Sequence, residues 1–215
     1  METEGLEGRL VLGFIPINGV MVIDTCGITD SRKREDTIDV KYEKIEDLKR
    51  RYLGLKERGQ VLTTPSCLEE LNRGIVGLRR IKKRGEKDLR SKIRQFGRSL
   101  RLPQSYQNAE RFQLLDESLQ TRKRIYDWLI NATKEYENAR TQIDPSWAFL
   151  FAKKNSELSP SNVEVVSRAL SLGDGVGILS SDRLLLYAYH SGVRYFGLND
   201  CFSCNSLTRE TKRIT

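Results

Sequence analysis

Long apolar runs are missing from this chain of 215 residues, and none approaches the ~20 residues that a bilayer-crossing helix needs. Its opening is acidic (Glu2, Glu4, Glu7), whereas a secretory leader begins with basic residues. A cytoplasmic protein without membrane contact is therefore expected. Histidine is almost absent: His190 stands alone, too isolated for a catalyst, and reads as a partly buried helix residue. Of four cysteines, Cys26 and Cys67 sit in apolar segments and read as small core residues. Cys201 and Cys204 form one C-x-x-C with no second pair, short of the roughly four ligands a zinc site takes, so reduced thiols are the expectation. Gly173-x-Gly175 has no further glycine or lysine to complete a phosphate loop. No internal repeat or low-complexity tract is evident.

What is present describes a folded, highly charged chain. Hydrophobic residues make up 38% and charged residues 31%, which excludes the composition of a disordered protein. The length fits a single domain, 1–215, with a core and one elaboration. A net charge of +8 favours a polyanionic partner, above all a nucleic acid, RNA or DNA.

The apolar run Val20 to Ile23 has the character of a strand buried on both faces. Arg9 to Ile15 has the composition of an extra strand, followed by a turn at Pro16-Ile17-Asn18-Gly19, and Thr29 to Asp39 reads as a loop. Tyr42 to Arg58 follows as an amphipathic helix with Ile45, Leu48, Tyr52 and Leu55 at helical spacing, ended by Gly59. Val61-Leu62-Thr63 is a short strand, and Thr64-Pro65 opens a helix with an N-cap residue and a first-turn proline. The same grammar recurs at Ser159-Pro160, which starts a helix through Leu172. After it come a strand at Val176 to Leu179, a helix from Arg183 to Ser191 capped by Gly192, and a strand at Val193 to Phe196. Alternation of this kind predicts an α/β fold with a parallel sheet.

Between the two blocks lies a helical region, roughly Asn72 to Asn155. Its first part, Leu71 to Arg101, carries Arg79, Arg80, Lys82, Lys83, Arg84, Lys87, Arg90, Lys92, Arg94 and Arg98 against few acids. Like charges packed so closely repel unless a polyanion compensates them, which makes this stretch the candidate nucleic-acid grip. The second part, Ser105 to Arg140, repeats one face at three- and four-residue steps from Tyr106 to Tyr136. Its apolar stripe from Phe112 to Tyr136 is suited to packing on the basic helix or on a second subunit or protein partner. Leu102-Pro103 separates them, giving a helix–turn–helix arm over about 76–155.

Three segments end in carboxylates where strands or helices would present them. Val22-Ile23-Asp24-Thr25 is an apolar strand closing in Asp-Thr. Val61 to Leu71 is a strand, a turn and a helix carrying Glu70-Leu71, with Glu69 as the fallback acid. Ser180-Ser181-Asp182-Arg183 ends a strand and starts a helix. With the helix start Asn162-Val163-Glu164-Val165-Val166-Ser167-Arg168-Ala169, these motifs resemble, in order, those of the PIN domain, a nuclease fold of RNA-processing enzymes and of many toxins in bacterial and archaeal toxin–antitoxin pairs. The resemblance covers about 20–75 and 157–198, which would form the core.

The resemblance implies a three-layer α/β sandwich with a central parallel sheet, here with an inserted helical arm, and metal-dependent endoribonuclease activity. Asp24, Glu70 and Asp182 would ligate Mg²⁺ or Mn²⁺, with Thr25 and Ser180 as supporting residues behind them. Asn162 departs from the pattern, standing where the family has aspartate; it offers a carbonyl oxygen but no charge, so cations would be held less strongly. Glu164 faces another way on the helix and completes a Ser161-x-x-Glu164 capping box. The asparagine marks a weakened or inactive nuclease or an engineered change. Two rival expectations follow: a nucleic-acid-binding or scaffold protein with a degenerate pocket, and a toxin held by an antitoxin partner, which the arm disfavours because toxins of this kind tend to be compact.

Overall fold

The computed structural model describes residues 20–29, 42–57, 60–96, 102–136, 140–154, 157–206 and 210–214, with side chains for all of these except 29, 42–45, 47, 88–96, 102–111, 135–136 and 210. The expected strand at Arg9 to Ile15, its turn, and nearly all of the loop from Thr29 to Asp39 lie outside the described residues.

Five strands form one sheet in the order β2-β1-β3-β4-β5: β1 (Val20–Ile23), β2 (Val61–Leu62), β3 (Val176–Ser180), β4 (Cys201–Asn205) and β5 (Glu210–Ile214). The pairs β1–β2, β1–β3 and β3–β4 are parallel. The β4–β5 pair is antiparallel, so the sheet is mixed rather than wholly parallel.

Alternation along the strands sends side chains to opposite faces. Val22, Leu62, Val176, Ile178 and Cys201 point to one side, where they pack with α5 (Pro145–Lys153), α6 (Pro160–Leu172) and α7 (Arg183–Phe196). Met21, Ile23, Leu179, Phe202 and Cys204 point to the other. There they meet Leu48 and Leu55 of α2 (Tyr42–Glu57), Leu71 of α3 (Pro65–Phe96), and Ile125 and Leu129 of α4 (Leu102–Tyr136). Helices thus cover both faces of an α/β sheet, and each buried Leu, Ile or Val contributes about 1.5–3 kcal/mol. Among the described residues no helix is long and apolar enough to cross a membrane.

The helices expected to form an arm are anchored in this core. Near the sheet, Thr133 of α4 takes the backbone N–H of Thr63 on its hydroxyl at 3.4 Å. Farther out, Leu78 of α3 packs on Leu115 of α4 with Ile81, Leu114 and Leu119 around them. The two helices therefore run antiparallel as a hairpin whose inner end belongs to the main core. A separate α5 follows, which the sequence reading merged into the helical region. Its start repeats the signal recognised at Ser159-Pro160: Asp144 caps it, accepting from Ser146 N–H at 2.7 Å, and Pro145 opens it.

The end of the chain corrects a second expectation. Val193 to Phe196 is not a strand but the last turn of α7. Gly192 does not cap that helix; it is buried within it, and a Cβ there would lie 2.5 Å from Leu170 Cδ1 of α6 and 3.1 Å from Phe151 of α5. Its role is close helix packing. The cap is Gly197, at φ 64°, the left-handed conformation that suits glycine. The strand comes later, and it carries the C-x-x-C. Three-residue spacing in a strand places Cys201 and Cys204 on opposite faces, where they join different apolar clusters. All four cysteines are free thiols.

Candidate active site

β1 and β3 are parallel neighbours with Ile23 beside Leu179, so the residues just past them emerge at the same end of the sheet. This is the end where open α/β sheets bind ligands. Asp24 follows β1 directly and is only 4% exposed. Ser180, the last residue of β3, donates its hydroxyl to Asp24 Oδ2 at 2.7 Å, and the same oxygen atom of Ser180 accepts the backbone N–H of Asp182 at 2.9 Å. One hydroxyl thereby ties the two aspartates.

Two thiols complete the surroundings of Asp24. Cys26 donates to Oδ2 and lies 3.3 Å from Ser180 Oγ, while Cys67, from the first turn of α3, lies 3.8 Å from Oδ1. Burial raises the Asp24 pKa above the usual 3.8; the Cys26 and Ser180 hydrogen bonds oppose this, and the negative charge of Glu70 adds to it. Burial and the Asp24 charge push the Cys26 thiol up to about 11, so it is a protonated donor at neutral pH. The composition-based reading of Cys26 and Cys67 as core residues missed this contact. Only the two-residue offset of Cys26 from Asp24 hinted at it.

Glu70 lies on α3 close enough to act on Asp24 through its charge. Glu69 instead is exposed and pairs with Arg73 at 3.7 Å, which leaves Glu70 as the acid of this cluster. Thr25 donates its hydroxyl to the Cys67 carbonyl at 3.3 Å, tying α1 (Thr25–Thr29) to α3, and its backbone hydrogen-bonds Asp24. Thr63 donates to the Ile23 carbonyl at 2.7 Å and so holds β2 against the end of β1.

Asp182 uses both oxygens. Oδ1 accepts from Leu184 N–H at 2.9 Å, capping α7, and Oδ2 accepts from Asn162 Nδ2 at 3.0 Å. Asn162 therefore does reach the acidic cluster from the first turn of α6. The capping box expected between Ser161 and Glu164 is not formed: Ser159 caps α6 through Asn162 N–H at 3.2 Å. Glu164 reaches across to α3 and accepts from Ser66 N–H at 3.4 Å. A cap two residues earlier leaves this carboxylate free for the neighbouring helix start. Among the described residues no three His, Cys, Asp or Glu side chains form a ready metal-holding group.

Of the basic residues on α3, Arg79, Arg80, Lys83, Arg84 and Lys87 are exposed. At 100° per residue they fall on one stripe, opposite the buried Leu71, Ile75 and Leu78. Lys82 belongs elsewhere: it forms an ion pair with Asp116 of α4 and another with Glu86 at 3.7 Å. The side chains of Arg90, Lys92 and Arg94, and the whole of Arg98, lie outside the described residues.

Comparison with protein families, with curated proteins and with solved structures finds no match to this chain.

Proposed function

We propose that the chain is a metal-dependent endoribonuclease of the PIN-like type. The observation that carries this reading is the placement of Asp24 and Asp182 on either side of the Ser180 oxygen, with the charge of Glu70 felt at Asp24. Asp24, Glu70 and Asp182 supply oxygen donors of the kind that Mg²⁺ or Mn²⁺ takes. A divalent cation bound there supplies charge for the phosphate oxygens and lowers the pKa of an attacking water.

The chain's own residues position these donors. Ser180 fixes the orientation of Asp24, and Asn162 steadies Asp182. Burial leaves Asp24 short of compensation for its charge, the condition under which a cation is drawn in. Arg79, Arg80, Lys83, Arg84 and Lys87 would hold the RNA backbone, positioning it without reading its sequence.

The test is cleavage of single-stranded RNA in Mn²⁺ by the unaltered chain, by Asp24→Asn and by Asn162→Asp. The nuclease reading expects Asp24→Asn to lose at least ~100-fold in rate, in keeping with loss of a main electrostatic element. Cleavage that survives Asp24→Asn, or that is absent from both the unaltered chain and Asn162→Asp, retires it.

A second reading keeps the fold and drops the chemistry, leaving a nucleic-acid-binding or scaffold protein. It is favoured by one contact, the Asn162 amide on Asp182 Oδ2, which occupies a carboxylate oxygen with a neutral donor. It predicts RNA binding without cleavage in all three proteins.

A further inference from the structure

The outer flank of α7 faces the β4–β5 pair across a cavity of about 320 Å³, lined by Arg183, Tyr187, His190, Ser203, Asn205 and Lys212, with Leu186 at its apolar side. Its frame is well held. Strand register sets Ser203 opposite Lys212, and His190 Nε2 lies 2.7 Å from Ser203 Oγ, joining helix to sheet. Arg183 and Lys212 bring two exposed cations to it, and none of its described lining residues is an acid. Burial lowers the His190 pKa, and the charges of Lys212 and Arg194 lower it further, so the field of the surrounding cations reaches inside. A volume at the lower end of the range for small-molecule sites suits a phosphate with part of its sugar.

Tyr187 stands at the mouth of this cavity and is 71% exposed. A tyrosine so open has no packing role of its own, and its ring is a free flat surface beside a cationic recess. Asn205 of the lining pairs in register with Ser180, and Arg183 follows Asp182 directly in the chain, so the recess adjoins the acidic cluster.

We propose that this recess is a nucleotide subsite, taking a backbone phosphate of a single nucleic-acid strand between Arg183 and Lys212 while the adjoining base lies on Tyr187. The proposal rests on the nuclease reading of the neighbouring acids and narrows its substrate to unpaired strands. Bases of a duplex are already stacked on one another and offer no free face to a protein ring. An acidic polypeptide would satisfy the cations yet leave the tyrosine without a purpose.

The test is fluorescence anisotropy of a short labelled oligouridine with the full chain in EDTA, over a range of salt concentrations. Tyr187→Ala is expected to weaken binding about tenfold, as loss of one base–aromatic stack does, and Tyr187→Phe to leave it unchanged. Lys212→Ala is expected to flatten the slope of log K against log salt by about 0.7, one single-strand phosphate contact. Blunt duplex RNA should bind Tyr187→Ala as well as it binds the unaltered chain. The proposal is overturned if Tyr187→Ala binds oligouridine normally, if Tyr187→Phe is as weak as the alanine variant, or if duplex affinity falls in parallel. Equal losses toward polyglutamate would likewise overturn it and mark a surface for an acidic protein. Both residues are exposed, and thermal melts check that each variant is folded. Binding in EDTA needs no divalent cation, so failure of this subsite is read from the Tyr187 and Lys212 variants here, whereas failure of the nuclease reading is read separately from RNA cleavage in Mn²⁺.

Discussion

Ser180 and Asp24, distant in sequence, share a 2.7 Å hydrogen bond at the ends of adjacent parallel strands. The serine side chain has no exposure and its hydroxyl also receives the Asp182 N–H, so its removal leaves polar groups on both sides short of a partner. Ser180→Ala should cost about 1–3 kcal/mol. A thermal melt reads this as a lower Tm, and an unchanged Tm would show that the bond contributes nothing.

Asp24 itself should be a destabilising residue at neutral pH. Its folded pKa is raised above 3.8, chiefly by burial. In the window between those two values the folded chain keeps a proton that the unfolded chain has released. The contribution of this group is therefore most favourable below 3.8 and declines as pH rises through the raised value. Asp24→Asn removes the decline and should raise Tm near neutral pH, the direction that the raised pKa sets. The gain should shrink toward acid pH. Mn²⁺ should raise the Tm of the unaltered chain and not that of the variant.

Asn162→Asp replaces the amide donor 3.0 Å from Asp182 Oδ2 with a second carboxylate. Two like charges at that separation repel, so the variant should melt below the unaltered chain in EDTA. Mn²⁺ should reverse the order. Melting curves with and without the metal decide the matter, and a variant indifferent to Mn²⁺ would argue against a cation at this cluster.

Gly192→Ala tests helix packing. The added methyl meets Leu170 at 2.5 Å, and overpacking of this kind costs about 1–3 kcal/mol. Denaturant unfolding should show the loss, whereas a true helix cap at this position would tolerate alanine differently, with no dependence on the size of residue 170.

Lys82 and Lys83 are sequence neighbours with different employment. Lys83 is exposed on the basic stripe, while Lys82 is paired with Asp116 and Glu86. Lys83→Ala should flatten the salt dependence of single-stranded RNA binding by about 0.7 in log–log slope. Lys82→Ala should leave that slope alone and lower stability by no more than about 1 kcal/mol. Equal effects on binding would dissolve the distinction.

Part of this arrangement was legible in the sequence. The run Val20 to Ile23 followed by Asp24, and Val176 to Leu179 followed by Ser180-Ser181-Asp182, announce buried strands because both faces are covered and every residue is apolar or small. Proline after a capping residue placed the starts of α3 and α6 correctly. What stayed hidden depends on contacts between distant segments. Gly192 looks like a helix terminator locally, and only the proximity of Leu170 and Phe151 gives it a place inside a helix. Glu164 satisfies a capping pattern on paper, yet Ser159 takes the cap and Ser66 takes the carboxylate. The pairing of Cys26 with Asp24 and the ion pair of Lys82 with Asp116 of α4 are equally invisible in one dimension.

The long hairpin is rooted where Ile125 and Leu129, neither with any solvent exposure, rest against Met21, Ile23 and Leu179. Those three residues frame the strands that carry Asp24 and Ser180. Shortening the protein to its two flanking blocks would strip the cover from that side of the sheet and loosen the footing of the carboxylates. The helix that bears the exposed cations from Arg79 to Lys87 is thus continuous with the one that carries Glu70, starting at Pro65 beside this covered end of the sheet.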